Sequence, residues 1–188
     1  MHFNVLSLLL PIVGLSFAQL QPNWTSPAGV SIYNPEDFFD TTGPWSLMSS
    51  AGDNLYVAEG SLQLEEGLET DIGKSPGMRG IDPVTSQLVE TGHARVRQAY
   101  QNMKTLVEMQ GTDVYSCLRL VVYVTDMAQY RPMCNQVQEE IWGSDPSRYP
   151  PRTIIEVTAL NQDDIVEVEG TFYAPHLSQK KCHGETRF

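Results

Sequence analysis

An alternation of helical and strand periodicity near the middle of the chain constrains the fold more than any other feature. Apolar residues recur at helical spacing in residues 91–110, which begin at a predicted N-cap, Thr91, and stop before Gly111. Residues 115–125 alternate between two faces, as expected of a strand. Asp126 then caps a second predicted helix with one apolar stripe. The order in this region is therefore helix, strand, helix.

Three further segments have the composition of strands, namely residues 54–64, 153–159 and 165–173. The complete order is strands, helix, strand, helix, strand, strand. It predicts an α+β fold in which two helices pack on one face of a mixed sheet of about six strands. Because both helices lie on one face, something else must bury the other face, and we expect an oligomer.

The length of 188 residues suits one domain. We place this domain at residues 41–175, after an extended N-terminal arm at 19–40 and before a polar C-terminal tail at 176–188. Residues 65–86 interrupt the domain with a loop, because closely spaced glycines and prolines leave no room for regular structure. A loop this long is usually functional or disordered, so the insertion is either an active-site cover or a disordered segment.

The first 18 residues have the pattern of a secretory signal peptide. Residues 6–17 form an apolar run that is too short for a bilayer, which needs roughly 20 residues. Small residues, Ser16 and Ala18, stand at the cleavage positions, although no Lys or Arg precedes the run, so an uncleaved anchor or a misassigned start stays open. An Asn-x-Thr sequon follows at Asn23. We expect a secreted or secretory-pathway protein, glycosylated at Asn23 and without membrane attachment once the signal is cleaved.

Charge and motifs argue against several classes of function. Twelve Lys and Arg against 23 Asp and Glu give a formal charge of −11, which repels nucleic acid and anionic membranes. No metal site is predicted, because the histidines show no ligand spacing with the cysteines. The chain also lacks a phosphate-binding loop, a nucleophile elbow and a dinucleotide fingerprint. Three cysteines cannot all pair within one chain, and they are Cys117, Cys134 and Cys182.

Charged side chains on two predicted strands are candidates for chemistry. Arg152 opens a predicted strand, where it would either grip a carboxylate through two parallel hydrogen bonds or form an ordinary surface ion pair. Glu167 and Glu169 share one face of the last strand. That face is either exposed to solvent or supplies a carboxylate that positions a water or exchanges a proton.

The C-terminal half resembles the RidA/YjgF family of small trimeric imine and enamine deaminases. The resemblance is carried by YPPRTIIEVTAL at residues 149–160 and IVEVE at 165–169, and it extends more faintly back to residue 41. It implies a chorismate-mutase-like architecture, a homotrimer, and a cleft between subunits that binds a small carboxylate-bearing substrate. It also implies that no cofactor is needed, since an imine is already activated toward water.

Four residues match positions of the family's site. Arg152 matches the arginine that binds the substrate carboxylate, and Glu167 matches the glutamate that handles the hydrolytic water. Asn135 matches an asparagine near the cleft, and Trp45 falls where an aromatic residue lines it.

Three further positions of the expected cleft depart from the family pattern. Ile154 stands where many members carry Cys, which removes a polar lining group. Glu59 precedes Gly60 where active members usually place Ser before Gly, and Ser61 replaces a common Gln. A carboxylate beside Arg152 would neutralise it and repel an anionic substrate.

The sequence supports two hypotheses about the function. The first is an enzyme that hydrolyses a reactive imine or enamine, or catalyses a related proton transfer or cyclisation, for example in secondary metabolism. The alternative is a non-catalytic, secreted trimer that binds ligands or acts as a chaperone. A ribonuclease or translation inhibitor, also known in the family, is disfavoured by the charge of −11.

Overall fold

The structure is a computed structural model, and it describes residues 20–39, 46–57 and 78–179. The predicted signal peptide, Trp45, Glu59, Gly60 and Cys182 lie outside these residues. The regular elements, in chain order, are β1 (Trp24–Thr25), β2 (Ser31–Tyr33), β3 (Met48–Ala51), β4 (Asn54–Val57), α1 (His93–Met109), β5 (Cys117–Val124), α2 (Met127–Trp142), β6 (Arg152–Glu156), β7 (Val166–Tyr173) and α3 (His176–Gln179).

The predicted α+β class is confirmed, and the described sheet has seven strands in the order β1-β2-β3-β4-β7-β5-β6. The pairing of β5 with β6 is parallel and the other pairings are antiparallel, so the sheet is mixed. Three of these strands were not named from the sequence, namely β1 and β2 in residues 20–39, which were expected to be an extended arm, and β3. Among the described residues, no helix is long and apolar enough to cross a membrane.

The two long helices were placed correctly, with one difference in capping. Helix α1 begins after Gly92, whose φ of 85° favours glycine, and Thr91 is not its N-cap. Helix α2 is capped as predicted, because the Asp126 carboxylate accepts a hydrogen bond from the Gln129 amide at 2.8 Å.

The core lies between the helices and one face of the sheet. Alternate residues of β5 and β7 point to the helices and are fully buried, as is Trp142, whose Nε1 donates to the Val114 carbonyl at 3.0 Å. These strand residues are Leu120, Val122, Val124, Val166, Val168 and Phe172. The opposite, helix-free face carries exposed or half-buried side chains, which include Tyr56, Tyr123, Ile155 and Tyr173. This is the face for which the sequence predicts a partner.

The described end of the predicted insertion joins the sheet. Strand β4 pairs with β7 up to Val57 opposite Gly170, and Met78 forms the next bridge, opposite Val168. The Met78 and Val168 amides each donate to the other's carbonyl, at 3.1 and 3.0 Å. Met78, Arg79 and Gly80 are buried, so this end of the predicted insertion packs into the domain.

Candidate functional site

Arg152 is held on the helix side of the sheet by two amide side chains. It is the first residue of the edge strand β6 and lies opposite Leu120, a core residue. Its Nη1 donates to Gln138 Oε1 at 2.8 Å, and its Nη2 donates to Asn135 Oδ1 at 2.6 Å. Both partners belong to α2 and are three residues apart, so they lie on one face of that helix.

The contacts of Arg152 leave its charge uncompensated within the described residues. Both hydrogen-bond acceptors are neutral, and in residues 20–39, 46–57 and 78–179 no carboxylate oxygen lies within 4.0 Å of its guanidinium nitrogens. The alternative of a surface ion pair is therefore not observed in this part of the chain. A half-buried guanidinium with neutral partners can bind an anion.

Two titratable groups beside Arg152 stay neutral at physiological pH. Burial raises the pKa of the Cys134 thiol to about 11, although the Arg152 charge acts in the opposite sense. Burial likewise raises the pKa of Tyr100, and this effect outweighs the lowering by Arg152. Neither group supplies a negative charge that would compete with a bound anion.

Ile154 lies two residues further along β6, on the same face as Arg152. It is opposite Val122 and packs, half-buried, against the core. The structure therefore places Arg152 beside Asn135 and Gln138, with Ile154 on the same face of β6. Sequence reasoning missed Gln138, although its position three residues after Asn135 on a helix was a usable signal.

Glu167 lies on the helix-free face of the sheet. It is opposite Tyr123 in the β5–β7 pairing and is only 1% exposed, so solvent exposure is the wrong interpretation for this residue. The Tyr123 hydroxyl donates to Glu169 Oε2 at 3.5 Å, at the limit of a hydrogen bond. Burial raises the pKa of Tyr123, and the negative charges of Glu169 and Glu167 raise it further, while Arg119 acts in the opposite sense.

The strand register places Arg152 and Glu167 on opposite faces of one sheet. Arg152 is opposite Leu120, whereas Glu167 is opposite Tyr123, three residues along β5, and an odd separation in a strand means opposite faces. A single chain therefore does not bring the two predicted catalytic residues into one cleft. Trp45, Glu59 and Gly60 lie outside the described residues and stay predictions.

The described ranges contain no group of three His, Cys, Asp or Glu side chains that could hold a metal ion.

A buried ionic cluster lies just before β7. Asp164 accepts from Arg79 Nε and from Arg95 Nη1, both at 2.9 Å, and its side chain is fully buried. Arg79 also donates to the Asn161 carbonyl at 2.8 Å. The cluster ties residues 79–95 to the connector that leads into Glu167.

Comparisons with known proteins find relatives of one family. A family model described as endoribonuclease L-PSP matches residues 74–173. A RutC family protein of Pyrococcus horikoshii is 29% identical over 132 residues, which cover 70% of this chain and 87% of the relative. A 2-iminobutanoate/2-iminopropanoate deaminase of Salmonella typhimurium is 29% identical over 93 residues, which cover 50% of this chain and 72% of the relative.

Solved structures share the architecture. A probable translation initiation inhibitor from Rhodopseudomonas palustris superposes with a TM-score of 0.64 at 38% identity, and the match covers 78% of this chain and 99% of the other. RidA from an Antarctic Psychrobacter superposes with a TM-score of 0.60 at 24% identity, over 74% of this chain and 96% of the other. The second likeness concerns the fold alone.

Proposed function

The chain belongs to the RidA/YjgF family, the family of the endoribonuclease L-PSP model, and from this premise we propose that it hydrolyses a carboxylate-bearing imine or enamine. The single observation that carries the proposal is the environment of Arg152. Its guanidinium is held by two neutral amides and meets no carboxylate among the described residues. A guanidinium whose positive charge is not compensated by a carboxylate favours the binding of an anionic ligand.

In the proposed reaction Arg152 holds the substrate carboxylate and so fixes the position of the imine carbon. A guanidinium has five N–H groups, and Gln138 and Asn135 accept from two of them. The Tyr100 phenol also lies against the guanidinium, and we assign the substrate carboxylate to donors that these three side chains do not occupy. Holding the substrate in this way places the C=N carbon at a fixed distance from the water that attacks it.

Glu167 handles the protons. A water oxygen adds to the C=N carbon while the π electrons move to nitrogen, and the Glu167 carboxylate takes a proton from the water and passes it to that nitrogen. The resulting carbinolamine then loses ammonia and leaves a carbonyl. Imine and water are consumed, and a 2-oxo acid and ammonia are formed.

Because Arg152 and Glu167 lie on opposite faces of one sheet, we propose that each site combines Arg152 of one copy with Glu167 of a neighbour. A closed homotrimer satisfies this requirement with three equivalent sites. The exposed side chains on the helix-free face, Tyr173 at 48% and Ile155 at 36%, suit burial against another copy.

Subunit mixing tests both the reaction and the shared site. The assay follows ammonia release from 2-iminopropanoate generated in situ. The wild-type chain should exceed the spontaneous rate, while Arg152→Ala and Glu167→Gln should each abolish the excess. The two inactive variants, unfolded and refolded together in equal amounts, should recover about a quarter of the wild-type activity, since one interface in four then pairs both intact residues.

Each arm of this experiment can contradict a different part of the proposal. Unchanged turnover in both single variants would remove Arg152 and Glu167 from the reaction. No recovery on mixing would show that one chain supplies both residues. If the wild-type chain turns over neither this imine nor its four-carbon analogue, the result would favour the alternative of a non-catalytic trimer that binds ligands or acts as a chaperone.

We also propose that the protein passes through the secretory pathway and carries an N-glycan on Asn23. Asn23 is exposed beside the edge strand β1, and its Oδ1 accepts from the Asn34 amide at 2.6 Å. A glycan is attached to Nδ2, so the Asn34 contact is compatible with glycosylation. The predicted signal peptide at residues 1–18 supplies the other half of this proposal and lies outside the described residues.

A further inference from the structure

We infer that Gln138 is a positioning residue that fixes the Arg152 guanidinium without neutralising it, an inference that rests on the proposed function. Gln138 is 6% exposed, and its Oε1 accepts from Arg152 Nη1 at 2.8 Å. Arg152 has a long side chain with several rotatable bonds, and two acceptors on one rigid helix select one of its conformations. Substrate then meets a guanidinium that is already in place.

The chemical identity of residue 138 decides the charge of the site. Two glutamates, Glu139 and Glu140, follow directly in α2 and are exposed, whereas the buried position that contacts Arg152 holds an amide. A carboxylate at the same place would accept the same hydrogen bond and add a negative charge less than 3 Å from Nη1. The positive charge of Arg152 would then be neutralised before the substrate binds.

The neighbours of this pair add no charge of their own. Tyr100 faces Arg152 from α1, and Cys134 faces it from α2. Burial keeps both groups protonated at physiological pH, the thiol with a pKa of about 11. Within the described residues the local charge is therefore that of Arg152, and a change at position 138 alters it directly.

The test uses the isosteric variant Gln138→Glu, with Gln136→Glu as its matched control. Gln136 lies on the same helix, two residues away and exposed to solvent, so this variant adds the same charge without facing Arg152. The probe is pyruvate, the 2-oxo acid that hydrolysis of 2-iminopropanoate yields, and its Kd is measured by calorimetry at neutral pH. KM and kcat for the imine are measured in parallel.

Gln138→Glu should weaken pyruvate binding and raise KM for the imine by at least about tenfold, while kcat stays within about twofold and the melting temperature is retained. Gln136→Glu should change none of these by more than about twofold. An unchanged Kd in Gln138→Glu, an equal loss in Gln136→Glu, or failure of the wild-type chain to bind pyruvate would overturn the inference. Pyruvate binding with the expected pattern but no turnover would refute the proposed hydrolysis alone.

A second variant keeps the inference testable if Gln138→Glu fails to fold. Asn135→Asp places a carboxylate on the other guanidinium nitrogen, at an exposed position where the core is not disturbed. It should weaken pyruvate binding in the same direction but by less, since solvent screens an exposed charge. Pyruvate binding that is as tight as in the wild-type chain would contradict the role assigned to the two neutral amides.

Discussion

The buried ionic cluster before β7 should be a major contributor to stability, and Asp164→Asn tests this. Asp164 is the carboxylate shared by Arg79 and Arg95, whose side chains are 5% and 11% exposed. The variant keeps the size of the side chain but removes its charge. Whichever way the amide is oriented, its NH₂ group then faces one of the two guanidiniums, so a donor opposes a donor.

The expected cost follows from burial. Removing one partner of a buried ion pair costs about 3–5 kcal/mol, because the remaining charge stays buried and unpaired. Two guanidiniums lose their shared anion here, so we expect the free energy of unfolding to fall by about 3–5 kcal/mol. For a chain of this size the melting temperature should fall by roughly 6–20 °C.

Glu140→Gln provides the matched control. Arg97 donates to the two carboxylate oxygens of Glu140 at 2.8 and 2.9 Å, but the Arg97 side chain is 58% exposed. Exposed pairs of this kind contribute about 1 kcal/mol or less. Arg97 lowers the pKa of Glu140, so this pair is ionised at pH 7, and its contribution is lost only as the pH falls through that lowered value.

Urea unfolding at pH 7, followed by tryptophan fluorescence, to which the buried Trp142 contributes, measures both variants at one protein concentration. A fixed concentration matters because assembly would add to the apparent stability. If Asp164→Asn costs no more than Glu140→Gln, the cluster is not stabilised by its charges, and the reasoning from burial is refuted.

Two further variants test the close packing around Gly80 and the predicted passage through the secretory pathway. Gly80→Ala should destabilise the fold by about 1–3 kcal/mol, because a Cβ there would lie 2.5 Å from the Arg95 carbonyl oxygen, a backbone atom that cannot move aside easily; an unchanged melting temperature would contradict this steric explanation. Wild-type chain secreted from a eukaryotic host should lose mass on treatment with an N-glycosidase, whereas Asn23→Gln should not; a wild-type mass that does not change would refute glycosylation.

The sequence predicts the helices and central strands well because their periodicity is local. Apolar spacing in α1 and α2 and the alternation around Val122 can each be read within about twenty residues. The shortest strands, β1 and β2, were missed, since two or three residues are too few to show a period. The resemblance, and not the periodicity, predicts that Arg152 lies near Asn135.

Contacts between distant parts of the chain were not predictable in this way. Asp164 joins Arg79 and Arg95 across 85 and 69 positions of sequence, and nothing in the local pattern distinguishes these arginines from exposed ones. The placement of Glu167 and Arg152 on opposite faces also depends on strand register. Register is fixed by pairing in three dimensions, and a shift of one residue would reverse it.

Val57 and Met78 lie at neighbouring positions of the sheet although twenty residues separate them in the sequence. Val57 pairs with Gly170 and Met78 with Val168, only two residues further along β7, so the described chain leaves the sheet and rejoins it at nearly the same point. Closing a loop of twenty residues instead of one costs only about 3 kcal/mol in chain entropy. The number of residues between Val57 and Met78 can therefore change at little cost in chain entropy while both pairings with β7 are kept. An engineer could graft a foreign segment here, provided that the graft ends before Met78.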